Sequence, residues 1–149
     1  MDGRILRISA RMGLLVLWLL LGGCGSSADG AGCTAATLKG SYVYAYDGFQ
    51  VMGETAAQRI PFAFAGRDIW HGDGTMAGTG SGGTNGVPDG VASYTGTYSL
   101  DADCTGSLIY TDGSGHATHW DLYVLNNGAL ISYVQTDAGF VAAGTEQRQ

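Results

Sequence analysis

The chain has 149 residues, enough for one domain, and carries 13 acidic against 7 basic side chains for a net charge of −6. Such a surface is repelled by phosphate backbones and anionic headgroups, which argues against nucleic-acid binding. Eight Tyr, four Phe and three Trp are spread along the chain, and most of the 26 glycines read as turn punctuation.

In chain order, Arg4, Arg7 and Arg11 precede an apolar run of ten residues, Met12 to Leu21. Ten residues suit the core of an export signal and are too few for a membrane span, which needs roughly 20. Leu21-Gly22-Gly23-Cys24 follows. This segment resembles the lipobox of bacterial lipoproteins, and the resemblance covers residues 1–24. It implies cleavage after Gly23, lipid (palmitate) on Cys24 and a membrane as partner. Gly25-Ser26 with no Asp directly after the cysteine implies, by the same analogy, the outer membrane. Removing residues 1–23 leaves four basic residues (Lys39, Arg59, Arg67, Arg148) against twelve acidic, a net charge of −8. Lipid rather than basic side chains would then hold the protein to the bilayer. With Cys24 lipidated, Cys33 and Cys104 remain, and an exported chain meets oxidising conditions, so a Cys33–Cys104 disulfide is expected.

Gly25 to Gly32 reads as a flexible tether, residues 24–32, ahead of a domain over 33–149. Thr34 to Leu38 is a single helix-like step; nothing later keeps a 3.6-residue period. Eight strands are predicted: Gly40–Phe49, Gln58–Trp70, Thr75–Gly80, Val91–Leu100, Thr105–Thr111, His116–Leu125, Ala129–Thr136 and Phe140–Gln147. Long loops are expected at Gln50–Ala57 and Ser81–Gly90, and a hairpin turn at Asn126-Asn127-Gly128. The hairpin Ser93 to Tyr110, with Cys104 at its turn, is typical of the whole.

Short linkers between consecutive strands make a meander, and eight such strands hide their edges by closing. The predicted fold is all-β, an eight-stranded antiparallel up-and-down β-barrel, with a two-sheet β-sandwich as the alternative. In such a barrel, the start of the first strand and the turn after the fourth lie at one end. Cys33 and Cys104 therefore meet there, and the two long loops mark the opposite end as a mouth.

No motif stands out as catalytic. His116 and His119 are three apart on one strand and point to opposite faces, while His119 and Asp121 share a face but are too few for a closed zinc site. His71-Gly72-Asp73-Gly74 reads as turn chemistry. Gly78-Thr79-Gly80-Ser81-Gly82-Gly83 lacks the strand-to-helix setting of a phosphate loop. No catalytic residue, metal or cofactor is assigned. The candidate ligand-binding residues are the strand aromatics Tyr42, Tyr44, Tyr46, Phe62, Phe64, Tyr94, Tyr98, Tyr110, Trp120 and Tyr133. They either fill a small barrel or line a pocket. Asp47 lies on the face opposite the Tyr row, and of Arg67 and Asp68 at most one points inward.

Gly40-Ser41-Tyr42, opening the first strand, resembles the Gly-x-Trp start of lipocalin and other calycin barrels, with Tyr in place of Trp. That resemblance implies an aromatic packed against a basic residue late in the last strand, here Arg148. The Leu-x-Gly-x-Tyr opening and the Thr-Gly-Thr-Tyr to Asp-Cys-Thr-Gly hairpin resemble small secreted bacterial β-barrels, some similar to allene oxide cyclase barrels. Three functions follow as expectations. The first is binding of a small, largely apolar ligand. The second is an isomerase or cyclase using Tyr hydroxyls or Asp47, for which a solvent-filled interior with a carboxyl beside a Tyr would speak. The third is an envelope structural or interaction protein with a solid core.

Overall fold

Inward and outward side chains alternate along the strands, as the burial of β1 and β6 shows, and the backbone follows that period of two. The result is eight strands: β1 (Lys39–Met52), β2 (Gln58–His71), β3 (Thr75–Thr84), β4 (Val87–Leu100), β5 (Thr105–Asp112), β6 (Ala117–Leu125), β7 (Leu130–Gln135) and β8 (Phe140–Arg148). The structure is a computed structural model and describes residues 32–53 and 58–149. The export signal, Cys24, most of the tether and residues 54–57 of the first expected loop lie outside the described residues.

Each strand pairs antiparallel with the next, and β8 returns to β1, from Tyr42 opposite Arg148 to Gln50 opposite Phe140. The predicted up-and-down barrel is therefore closed, and the sandwich is set aside. Closure leaves no unpaired edge to recruit another chain.

One end of the barrel is solid. Leu38, Tyr42, Trp70, Leu122 and Ile131 are almost wholly buried there. Each such side chain contributes roughly 1.5–3 kcal/mol of transfer free energy. The helix-like step is a 3-10 turn, Ala35–Thr37, and with Leu38 it plugs this base. Tyr98 Oη donates to the carbonyls of Ala35 (2.8 Å) and Leu38 (3.0 Å). Arg148 donates from Nε to Tyr42 Oη (2.9 Å) and from Nη2 to Thr37 O (2.7 Å), and its guanidinium lies 5.3 Å from the Tyr42 ring centre. The expected contact between the opening aromatic and the late basic residue is present.

Cys33 and Cys104 form a disulfide at this same base, with Cα atoms 4.9 Å apart. Two of the base turns share one device. Asp73 accepts from the backbone N–H and hydroxyl of Thr75, and Asp103 does the same for Thr105. At the other end Asp112 treats Ser114 alike. These aspartates cap turns, which is what His71-Gly72-Asp73-Gly74 was read as. Asn126, Asn127 and Gly128 all take positive φ, as the β6–β7 turn requires.

Two expectations are corrected. Ser81–Gly90 is not a loop: β3 continues to Thr84, a two-residue turn at Asn85-Gly86 reverses the chain, and β4 begins at Val87. Both turn residues have positive φ (52° and 78°), the Asn-Gly signal of a tight hairpin. Likewise β1 runs on to Met52, so Gln50–Met52 belong to the strand, and residues 54–57 of that expected loop lie outside the described residues. On that side the mouth is rimmed by an extended β3–β4 hairpin rather than by a long loop.

The second correction concerns the glycines. Gly78, Gly80 and Gly82 sit inside β3 and face inward. A Cβ at Gly80 would overlap the Tyr44 hydroxyl, and one at Gly82 would overlap the Phe64 ring. These glycines make room for rings from other strands.

Candidate functional site

Above the packed base the barrel is hollow. A cavity of about 330 Å³ opens at the mouth end, between the β3–β4 hairpin and the β5–β6 turn. Its wall is built by residues spaced two apart on facing strands. β1 supplies Tyr44 and Tyr46, β2 Phe62 and Phe64, β4 Tyr94, β5 Tyr110, β6 Trp120 and β7 Tyr133.

Eight of the ten candidate aromatics thus line the cavity. The other two do not: Tyr42 and Tyr98 lie below it in the base, tied to backbone carbonyls and to Arg148. Tyr46 is the hub. Its ring stacks on Phe64 (centroids 5.4 Å) and meets Trp120 edge-on at 5.1 Å. Trp120 in turn meets Tyr133 at 5.2 Å, and Tyr94 meets Tyr110 at 5.3 Å. Rings held at these distances gain beyond simple burial and leave a rigid wall.

The floor is polar. Asp68 of β2 and Glu146 of β8 are each only 3% exposed, and both border the cavity. Tyr94 Oη donates to Asp68 Oδ1 at 2.6 Å, and Trp70 Nε1 donates to Glu146 Oε2 at 2.8 Å. The two carboxyl groups are close enough for each to act on the other. Burial raises both above the ordinary carboxylate range. Asp68 is pushed up to about 6, partly offset by the Tyr94 hydroxyl. Glu146 rises well above its usual value, by burial first and by the Asp68 charge second. Two carboxyls so close and so buried resist ionising together. Burial likewise raises Tyr46, Tyr94 and Tyr133, which stay neutral phenols.

The floor also decides between Arg67 and Asp68: the inward residue is Asp68, opposite Tyr42 in the ladder. Asp47 is exposed on the outer face, in a shallow groove with Ala45 and Ala63, so it cannot act in the cavity. Asp68 is the carboxyl that stands beside a tyrosine. Glu146 was not read as a site residue, yet a signal existed. Arg148 packs inside, and two residues earlier on a strand shares its face.

The histidines divide as expected. His116 stands at the mouth, while His119 is outside, its Nδ1 2.7 Å from Asp137 Oδ1. Among the described residues no three His, Cys, Asp or Glu side chains converge to hold a metal ion.

No family model matches the sequence. No curated protein matches it either. The fold resembles designed barrels. A redesigned β-barrel aligns with 77% of this chain and 94% of its own at 19% identity and a TM-score of 0.52. A de novo fluorescence-activating β-barrel covers 77% and 96% at 12% identity, TM-score 0.52. A redesigned β-barrel bound to DFHBI covers 76% and 97% at 15% identity, TM-score 0.51.

Proposed function

We propose that this protein binds a small, largely apolar ligand inside the barrel. The observation that carries the reading is the cavity of about 330 Å³ walled by nine aromatic rings, the eight predicted ones and Phe140 of β8. That volume lies within the range of small-molecule sites, and a mostly apolar wall with a few convergent polar groups is their usual chemistry. Barrels of this shape include one that holds DFHBI, which supports the reading at the level of shape. The test is calorimetric titration with two aromatic probes, 2-naphthalenemethanol and 2-naphthylmethylamine. Saturable binding of either probe, abolished when Ala92→Trp fills the cavity from β4, is the expected result. Binding of neither probe, or binding that survives Ala92→Trp, overturns it.

The same reading hangs the barrel from the outer membrane by lipid on Cys24, supported by Leu21-Gly22-Gly23-Cys24 behind its apolar run. Labelled palmitate should enter the wild-type protein in the producing bacterium and fail to enter Cys24→Ala.

A second reading, an isomerase or cyclase, is favoured by one observation: a cavity-facing carboxyl, Asp68, hydrogen-bonded to Tyr94. A carboxyl raised to about 6 is matched to moving protons near neutral pH. Exchange of deuterium from heavy water into the carbon next to the carbonyl of 2-tetralone measures it. Acceleration lost in Asp68→Asn supports this reading, and no acceleration removes it.

A further inference from the structure

We infer that the cavity takes an organic cation, a protonated amine or amidinium on an apolar body, with its N–H groups directed at Asp68 and Glu146. This rests on the cavity-binding reading and names the ligand class within it.

The first ground is the charge of the lining. Four carboxyl groups border the cavity, Asp68 and Glu146 at the floor and Asp89 and Asp112 at the mouth. His116 also stands at the mouth, and no Lys or Arg lines the cavity among the described residues. A low-dielectric pocket with carboxylates of one sign concentrates cations and repels anions. A fatty acid or other carboxylate placed head-down would face the floor pair.

The second ground is unmet acceptor capacity. Ionised carboxyls are acceptors only. Tyr94 satisfies Asp68 Oδ1 and Trp70 satisfies Glu146 Oε2. The remaining oxygen of each receives no side-chain N–H or O–H donor among the described residues. The other groups facing the pair are Tyr44 on β1 and Tyr133 on β7, both neutral phenols. The nearest cation of the base, Arg148, is engaged with Tyr42 and Thr37. An N–H donor bearing charge would fill the open acceptor sites and cancel the charge held there.

The third ground is the wall. The faces of Tyr and Trp rings carry negative potential and attract ammonium groups, more strongly where water is thin. Tyr44, Tyr46, Tyr94 and Trp120 surround the space directly above the floor.

The experiment compares three probes of one shape at neutral pH: 2-naphthylmethylamine (cation), 2-naphthalenemethanol (neutral) and 2-naphthoate (anion). The wild-type protein should bind the amine about tenfold or more tighter than the alcohol, as expected of charged over neutral hydrogen bonds, with naphthoate weakest. In the double variant Asp68→Asn with Glu146→Gln the preference for the amine should vanish. Equal binding of amine and alcohol, or tightest binding of naphthoate, overturns the inference while leaving a ligand-binding cavity in place. A preference that persists in the folded double variant also overturns it. Failure of all three probes overturns the cavity reading itself. The wild-type series decides the matter even if the double variant does not fold.

Discussion

Asp68 and Glu146 meet at the cavity floor although β1 runs between their strands and no ladder joins them. Each is placed through β1, Asp68 opposite Tyr42 and Glu146 opposite Tyr44. Gly78 clears the space, since a Cβ there would overlap both the Asp68 carboxyl and the Tyr94 ring. The pair is built by closure of the barrel, and its properties follow from burial.

Stability should fall as pH rises through the mildly acidic range. Asp68 moves from 3.8 to about 6 on folding, and Glu146 moves the same way. Between those values the unfolded chain releases protons that the folded chain keeps, so each step up in pH favours unfolding. For Asp68 the total is on the order of 3 kcal/mol, complete once pH passes its folded value. Asp73, Asp103, Asp112 and Asp137, held below the usual range, oppose this only in stronger acid. Urea midpoints should therefore peak in mild acid, and Asp68→Asn with Glu146→Gln should flatten the decline. A wild-type midpoint that climbs toward neutrality contradicts the assignment.

Reduction of Cys33–Cys104 should destabilise the barrel. The bridge closes a loop with a sequence separation of 71, worth about 4 kcal/mol in the chain-entropy picture. Urea curves with and without reductant, alongside Cys33→Ser with Cys104→Ser, measure it. Two free thiols in the purified oxidised protein would refute the bridge.

Gly80→Ala should cost about 1–3 kcal/mol, because the new methyl meets Tyr44 and a neighbouring carbonyl in a packed wall. Gly113→Ala, with open space around its Cβ and no positive φ, should stay within about 0.5 kcal/mol. Equal costs at the two sites would mean that the β3 glycines do not make room for the rings.

Arg148→Met should cost about 1–3 kcal/mol, since Thr37 O and Tyr42 Oη lose a charged donor. Probe binding should be unchanged, because Tyr42 and Trp70 lie between Arg148 and the cavity. Loss of binding at unchanged stability would show that the base and the cavity are one site.

Much of this was legible in the sequence because it is local. Alternation in Tyr42-Val43-Tyr44-Ala45-Tyr46 marks a strand with two faces, and Asp-Gly and Asn-Gly pairs mark its ends. Eight such units with short links imply closure, and the parity of their turns brings Cys33 and Cys104 to one end.

What stayed hidden was decided across strands. Gly82 looks like a loop residue, and Gly78 and Gly80 like a weak strand, because their own side chains say nothing; the rings that need the space belong to β1, β2 and β4. Asp68 and Glu146 look like surface carboxyls because a single strand does not reveal which face turns inward, and a slip of one residue would reverse it. Pattern and turn chemistry along the chain thus determined the barrel and its covalent staple. Only the register of the closed sheet put two acids under a roof of tyrosines, where loss of water raises both above the ordinary carboxylate range.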